Sequence, residues 1–285
     1  MNAIIAFIPA LGWGFMPIVA HLTKGSPREQ LTGTAFGAVL FALCLYGYSP
    51  TSLQPISFIV SFASGVCWSA GQGLQFQAFQ RVSVSKAVPV ICGLQLTGTT
   101  LFAAFILGEW NTSFQFIIGL LGLCCILTGV ALMSFRKKSG DLSGNLPPQL
   151  VIILACSSLA LTLYVVINQV FQVSGLSVIL PQSLGMLCSA LLINAMGKKP
   201  LRPFQIASNL STGLIWSVAN LALFISNGLI GVAASFPISQ VSIAISCIGS
   251  ILVFREKISS RQWLVILTGV TMMLLGVGLI SLLKK

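Results

Sequence analysis

WSAGQGLQFQAF at 68–79 and WSVANLALFISN at 216–227 stand 148 residues apart, and their likeness decides the fold. Trp68 and Ser69 match Trp216 and Ser217, Gln72 matches Asn220, and Phe76 matches Phe224. Further along, Pro89 matches Pro237 at the same offset. One deletion then shifts the offset to 147, where Glu109 matches Glu256, Gln115 matches Gln262, Gly129 matches Gly276 and Ser134 matches Ser281. Gly37 and Gly185 extend the 148 register toward the N-terminus. Chance supplies one such pair easily, but not a run of them in a single register. The chain therefore reads as two copies of one unit.

Composition says what medium those copies occupy. The hydrophobic fraction is 56%, the charged fraction 7% and the mean hydropathy +0.98. A soluble domain of this length needs far more charge to cover its surface. In lipid every backbone N–H and C=O must be paired within the protein, which leaves helices or a closed barrel. Barrel strands alternate apolar and polar residues, whereas this chain has long unbroken apolar runs. A span needs about 20 apolar residues, and on that basis the spans are expected near 2–21, 30–48, 56–80, 85–107, 113–135, 149–173, 176–196, 204–228, 231–254 and 262–283. The polar stretch RKKSGDLSGNLPP at 136–148 reads as a linker between repeats at 1–135 and 149–285. Five helices per repeat is an odd number, so the second copy must enter the membrane upside down. The expectation is an all-α membrane protein of ten transmembrane helices in two inverted five-helix repeats. That architecture recurs in secondary transporters, which bind substrate near the midplane between repeats.

The net charge of +11 would suit a nucleic-acid binder. Here the basic residues sit singly or in short clusters between apolar runs, where topology-setting Lys and Arg belong. Thirteen of the fifteen Lys and Arg fall in the odd-numbered gaps, and only Lys284 and Lys285 lie on the other side. The positive-inside rule then puts both termini outside the cell membrane. The N-terminus lacks a basic n-region and carries Pro9, Trp13 and Pro17, so it reads as a working helix and not a cleaved signal. The eight cysteines lie inside apolar runs without metal-site or disulfide spacing.

Four residues are acidic: Glu29, Glu109, Asp141 and Glu256, all at span ends or in the linker. Carriers of cationic drugs use an intramembrane carboxylate as counter-charge; this chain offers none, nor a buried cluster of Lys or Arg for phosphates. Both absences point to a neutral substrate. What the spans do hold is amides and tryptophans. Trp68, Gln72, Gln75 and Phe79 fall on one face of a helix, and Trp216, Asn220 and Asn227 repeat part of that stripe. Trp13, Gln95, Asn168, Gln182 and Gln240 are other polar or aromatic residues within spans. Amides offer donor and acceptor together, and indoles offer an apolar platform for sugar C–H faces. The competing reading is helix glue, at about 0.6–2 kcal/mol per polar contact. It suits single Ser and Thr better than the full amides of a stripe present in both copies. Pro89 and Pro237 permit helix kinks. Glu109, Glu256 and His21 are the candidates for proton coupling, although a capping or pairing role suits both glutamates.

These residues resemble the glucose/ribose uptake (porter) family of the drug/metabolite transporter superfamily. The resemblance rests on IPALGWGFMPIVA (8–20), QLTGTAFGAVLF (30–41), GQGLQFQAFQRVSVSKAVPVICGLQLTGTTLF (71–102) and GEW (108–110). It extends over all ten spans and is clearest in the first half, where GWGFMP is closer to ribose-type members. It implies ten helices in two inverted repeats and monosaccharide uptake by proton symport. The residues themselves lend the symport little support, because no carboxylate lies mid-membrane.

The sequence thus leads to a permease that takes up a small neutral monosaccharide such as ribose or glucose by alternating access. The substrate-binding candidates are Trp13, Trp68, Gln72, Gln75, Gln95, Asn168, Trp216, Asn220 and Gln240. Its expected partners are the sugar and the lipid bilayer, with protons as a candidate and no nucleic acid, cofactor or metal. An exporter of small neutral metabolites or amino acids on the same fold is the rival within transport. No metal-ligand cluster, carboxylate pair or nucleophile–base pair suggests an enzyme.

Overall fold

A computed structural model describes residues 2–134, 147–173, 175–197, 199–230 and 232–283. The linker segment 136–146, with Asp141, and the terminal Lys284 and Lys285 lie outside the described residues. The helices are α1 (Asn2–Leu22), α2 (Pro27–Tyr48), α3 (Pro55–Phe79), α4 (Val84–Phe105), α5 (Ser113–Ser134), α6 (Pro148–Val170), α7 (Ile179–Ala195), α8 (Pro203–Ser208), α9 (Leu210–Ile230), α10 (Val232–Val253) and α11 (Ser260–Ser281). Asn209 alone separates α8 from α9, and together they form one span, Pro203–Ile230. Eight spans among the described residues are long and apolar enough to cross a membrane. The ten are completed by α10, whose described apolar part is Ile238–Val253, and by α3, which buries five polar side chains, Ser61, Ser64, Ser69, Gln72 and Gln75. The protein is an all-α membrane protein.

Its surface is inverted relative to a soluble domain. Ile117, Leu120, Ile152 and Leu159 are exposed, while Ser61, Ser64, Ser69, Gln72, Gln75 and Asn220 are buried. Apolar atoms face outward because lipid is the solvent there, and polar groups are retained where helices meet.

Local signals explain the helix ends. Pro27, Pro55, Pro148 and Pro203 each stand in the first turn, where a missing N–H costs nothing. Helix α2 starts three residues before the expected 30, because Ser26 and Glu29 form a capping box. Ser259 and Gln262 form another on α11. Pro89 lies inside α4 and cannot donate to the Ser85 carbonyl one turn back. The Cys247 thiol of α10 donates to that carbonyl at 3.3 Å, so the freed group is satisfied across helices. Pro237 falls within α10, in a stretch whose side chains are not described.

The two copies are related by a near two-fold exchange that the contacts reveal. A methyl group placed on Gly37 would strike the carbonyl oxygen of Leu210, and one on Gly185 would strike that of Phe62. Residues 37 and 185 are equivalent, and so are 62 and 210, so each contact maps onto the other. Gly65 against the Gln182 carbonyl likewise maps onto Gly213 against the Thr34 carbonyl. Beside them, Gln182 Nε2 donates to Ser64 Oγ at 3.0 Å, and the equivalent Thr34 and Thr212 hydroxyls share a hydrogen bond. On α5 and α11, Gly122 lies against Gly276 and Gly129 against Gly269, an antiparallel crossing about the same axis. Even left-handed residues correspond: Lys24 (φ 52°) with Gln172 (φ 53°), and Gly108 (φ 67°) with Arg255 (φ 50°). These close two equivalent pairs of helices with the same backbone turn. The fold is two inverted five-helix repeats.

One feature breaks the symmetry. The Glu29 carboxylate is buried and accepts from the Ser26 N–H, the Arg202 N–H, Arg202 Nε and Arg202 Nη2 at 2.7–3.0 Å. It also lies at the positive N-terminal end of α2. The equivalent positions, Ser177 and Gln54, carry no charge. The pair fastens α2 to the start of α8. Glu29→Ala is expected to lower the melting temperature in detergent by several degrees, and Glu29→Gln by less, because it keeps half of the hydrogen bonds. A thermal melt followed by circular dichroism checks this; equal melting of all three proteins would show the pair to be inconsequential.

Candidate substrate site

The repeat brings Trp68 of α3 and Trp216 of α9 together at the middle of the molecule. Their ring centroids are 5.1 Å apart with planes inclined by 57°, and both side chains are buried. Since residues 68 and 216 are equivalent, this contact lies on the internal two-fold axis. Its position follows from length: Trp68 is at the centre of the 25-residue α3, and Trp216 at the centre of the Pro203–Ile230 span.

Amides flank the pair. Gln72, one turn beyond Trp68, is buried with no hydrogen-bond partner for Nε2. Gln75 on the same helix is buried as well. Asn220, one turn beyond Trp216, is buried and lies beside the Tyr164 side chain of α6. Trp13 of α1 packs against the same core, and its Nε1 is buried without a partner. Gly12 beside it fits closely against the Ala219 side chain, which fixes α1 next to Asn220. A buried indole or amide N–H without an acceptor costs about 1–3 kcal/mol. Two such groups, on the tryptophan-bearing α3 and on α1, read as open positions for a polar ligand.

The other sequence candidates divide. Gln95 Nε2 donates to the Leu161 carbonyl at 3.3 Å, joining α4 to α6. Asn168 Nδ2 donates to Ser64 Oγ at 2.9 Å, while its Oδ1 is buried and unpartnered. Ser64 also takes the Gln182 bond and donates to the Tyr164 carbonyl at 2.7 Å, so it links α3, α6 and α7. Gln240 Nε2 reaches the neighbouring Ser239 hydroxyl at 3.3 Å. Sequence reasoning missed Tyr164 and Ser64. The signal for Tyr164 was its place inside a span, one turn before Asn168.

The proton-coupling candidates lie away from this centre. Glu109 is exposed in the α4–α5 connection. Glu256, in the α10–α11 connection, accepts from the Ser85 hydroxyl at 2.7 and 3.0 Å. His21, at the end of α1, meets Phe254 edge-on with centroids 4.7 Å apart. Among the described residues no group of three or more His, Cys, Asp or Glu is placed to hold a metal ion.

Comparison with known proteins gives the arrangement a family. A protein of Listeria monocytogenes named for sugar uptake is 46% identical over 281 residues, covering 99% of each chain. The glucose uptake protein GlcU of Bacillus subtilis is 36% identical over 287 residues, covering 100% of this chain and 99% of that one. A solved crystal structure, 16% identical, superposes with a TM-score of 0.68 over 99% of this chain and 97% of the other, a likeness of fold alone. The family described as sugar transport protein matches residues 4–283, from α1 through α11. This chain belongs to the sugar transport protein family.

Proposed function

We propose that this sugar transporter carries a neutral monosaccharide, of the size of glucose or ribose, into the cell by alternating access. The observation that carries the reading is the buried Trp68–Trp216 contact flanked by the amides of Gln72 and Asn220. A pyranose presents apolar C–H faces and a rim of hydroxyls. Indole faces suit the first, and amides, which donate and accept at once, suit the second. The names of the relatives, sugar uptake and glucose uptake, support inward carriage over export. The charge count supports a cell-membrane orientation with both termini outside. The copies run over 1–135 and 149–285, joined by 136–148.

Coupling to protons is weak or absent in this reading. A symported proton needs a group that gains and loses it during the cycle, and buried carboxylates serve because desolvation raises their pKa. Glu109, Glu256 and His21 sit at helix ends instead. The test is entry of radiolabelled glucose and ribose into proteoliposomes, with and without an acidic exterior. Saturable entry that stops at equal concentrations under both conditions is the expected outcome. Accumulation abolished by an uncoupler would overturn the uncoupled reading, and Glu109→Gln and Glu256→Gln would then identify the carrier. Absence of saturable entry for any monosaccharide would overturn the substrate class.

A further inference from the structure

We propose that the Trp68–Trp216 pair is a partition between two separate half-sites for the sugar, one built on Gln72 and the other on Asn220 with Tyr164. The inference rests on the proposed carriage of a monosaccharide and goes beyond it, because a single central site would have one set of ligands used from both sides.

The argument begins with the symmetry. Trp68 and Trp216 occupy equivalent positions and touch each other, so the internal two-fold axis passes between their rings. Helices α3 and α9 are equivalent helices of inverted repeats, so they cross the membrane in opposite directions. Gln72 lies one helical turn past Trp68 along α3, and Asn220 one turn past Trp216 along α9. A turn advances about 5.4 Å. The two amides are therefore displaced in opposite directions from the tryptophan layer, on the order of 10 Å apart along the membrane normal. One sugar ring cannot bridge both while the indoles remain in contact. On the proposed orientation the Gln72 half-site faces the cytoplasm, since α3 runs toward the basic Arg81–Lys86 turn, and the Asn220 half-site faces outside.

The half-sites differ in chemistry. Gln72 holds a buried amide nitrogen without a partner, an open donor for a hydroxyl oxygen. Asn220 is buried beside the half-buried Tyr164 side chain, so a ligand there meets an amide and a phenol together. The position equivalent to Tyr164 in the first repeat is Met16, which offers no hydroxyl. Each half-site still lies against an indole, so both can take the C–H face of the same sugar. Passage from one to the other requires the indoles to part.

The experiment is side-specific thiol labelling in sealed, oriented vesicles. The eight native cysteines are all free and are first replaced by Ala or Ser. Gln72→Cys and Asn220→Cys are then treated with a membrane-impermeant methanethiosulfonate from one side at a time. The partition predicts that residue 72 reacts only from the cytoplasmic side and residue 220 only from outside. Adding Trp68→Ala, or Trp216→Leu if that variant fails to fold, opens each position to both sides. Labelling of either position from both sides with both tryptophans present overturns the proposal, as does failure of both to react from any side. Glucose and ribose enter only as protectants in a parallel arm. Side-specific labelling without protection by either sugar would sink the substrate reading and leave the partition standing.

Discussion

Gly185→Val is expected to yield no monodisperse protein in detergent, and Gly65→Val to behave the same way. A methyl group at Gly185 would fall on the Phe62 carbonyl oxygen, and one at Gly65 on that of Gln182. Both obstacles are backbone, so no side chain can swing aside. Overpacking a tight core costs about 1–3 kcal/mol, and more where the surroundings cannot shift. Here the whole α3–α7 crossing must separate, which also removes the Gln182–Ser64 bond and the packing of Asn168 against it. By the internal two-fold, Gly37→Val and Gly213→Val disrupt the α2–α9 crossing equally. Gly278→Val is the control, because a methyl group there meets nothing within 4 Å. Size-exclusion profiles of the five variants decide the matter. A normal peak for Gly185→Val would mean that the crossing is looser than its geometry indicates.

Gln72→Ala and Asn220→Ala are each expected to weaken sugar handling by roughly ten- to hundredfold in half-saturation, the equivalent of about 1–3 kcal/mol for a lost hydrogen-bonding partner in a dry site. Their effects on folding differ. The Gln72 Nε2 has no protein partner, so its removal leaves nothing unpaired. Loss of Asn220 removes a buried amide packed beside the half-buried Tyr164 side chain. Asn220→Ala is therefore expected to melt at a lower temperature than Gln72→Ala. Uptake kinetics at matched incorporation, beside thermal melts, separate the two effects. Wild-type kinetics in both variants would make the amides packing groups.

Much of this was legible in the sequence, for reasons that differ by element. The repeat could be read because equivalent contacts demand similar residues, as with Gly37 and Gly185 or Trp68 and Trp216. The central tryptophans could be read because an indole at mid-span cannot be an interface anchor. Burial of Glu29 could not. Its neighbours Lys24 and Arg28 suggest an interfacial charge, and the decisive partner, Arg202, lies 173 residues away. Ser64 and Tyr164 escaped because a lone hydroxyl in a span ordinarily serves as helix glue, and only the fold shows which carbonyls and amides converge on it. The bond from Cys247 to the Ser85 carbonyl is hidden for the same reason: Pro89 announces a freed carbonyl but not who satisfies it.

The central claim is that the sugar binds against Trp68 and Trp216. It is tested most directly by titrating purified protein with glucose and ribose while following intrinsic tryptophan fluorescence. Of the five tryptophans, Trp110 and Trp263 lie near the helix ends, and Trp13, Trp68 and Trp216 near the centre. The account predicts a saturable change in emission with at least one of the two sugars, lost or sharply reduced in the Trp68→Phe, Trp216→Phe double variant. A saturable change of full amplitude in that double variant would contradict it.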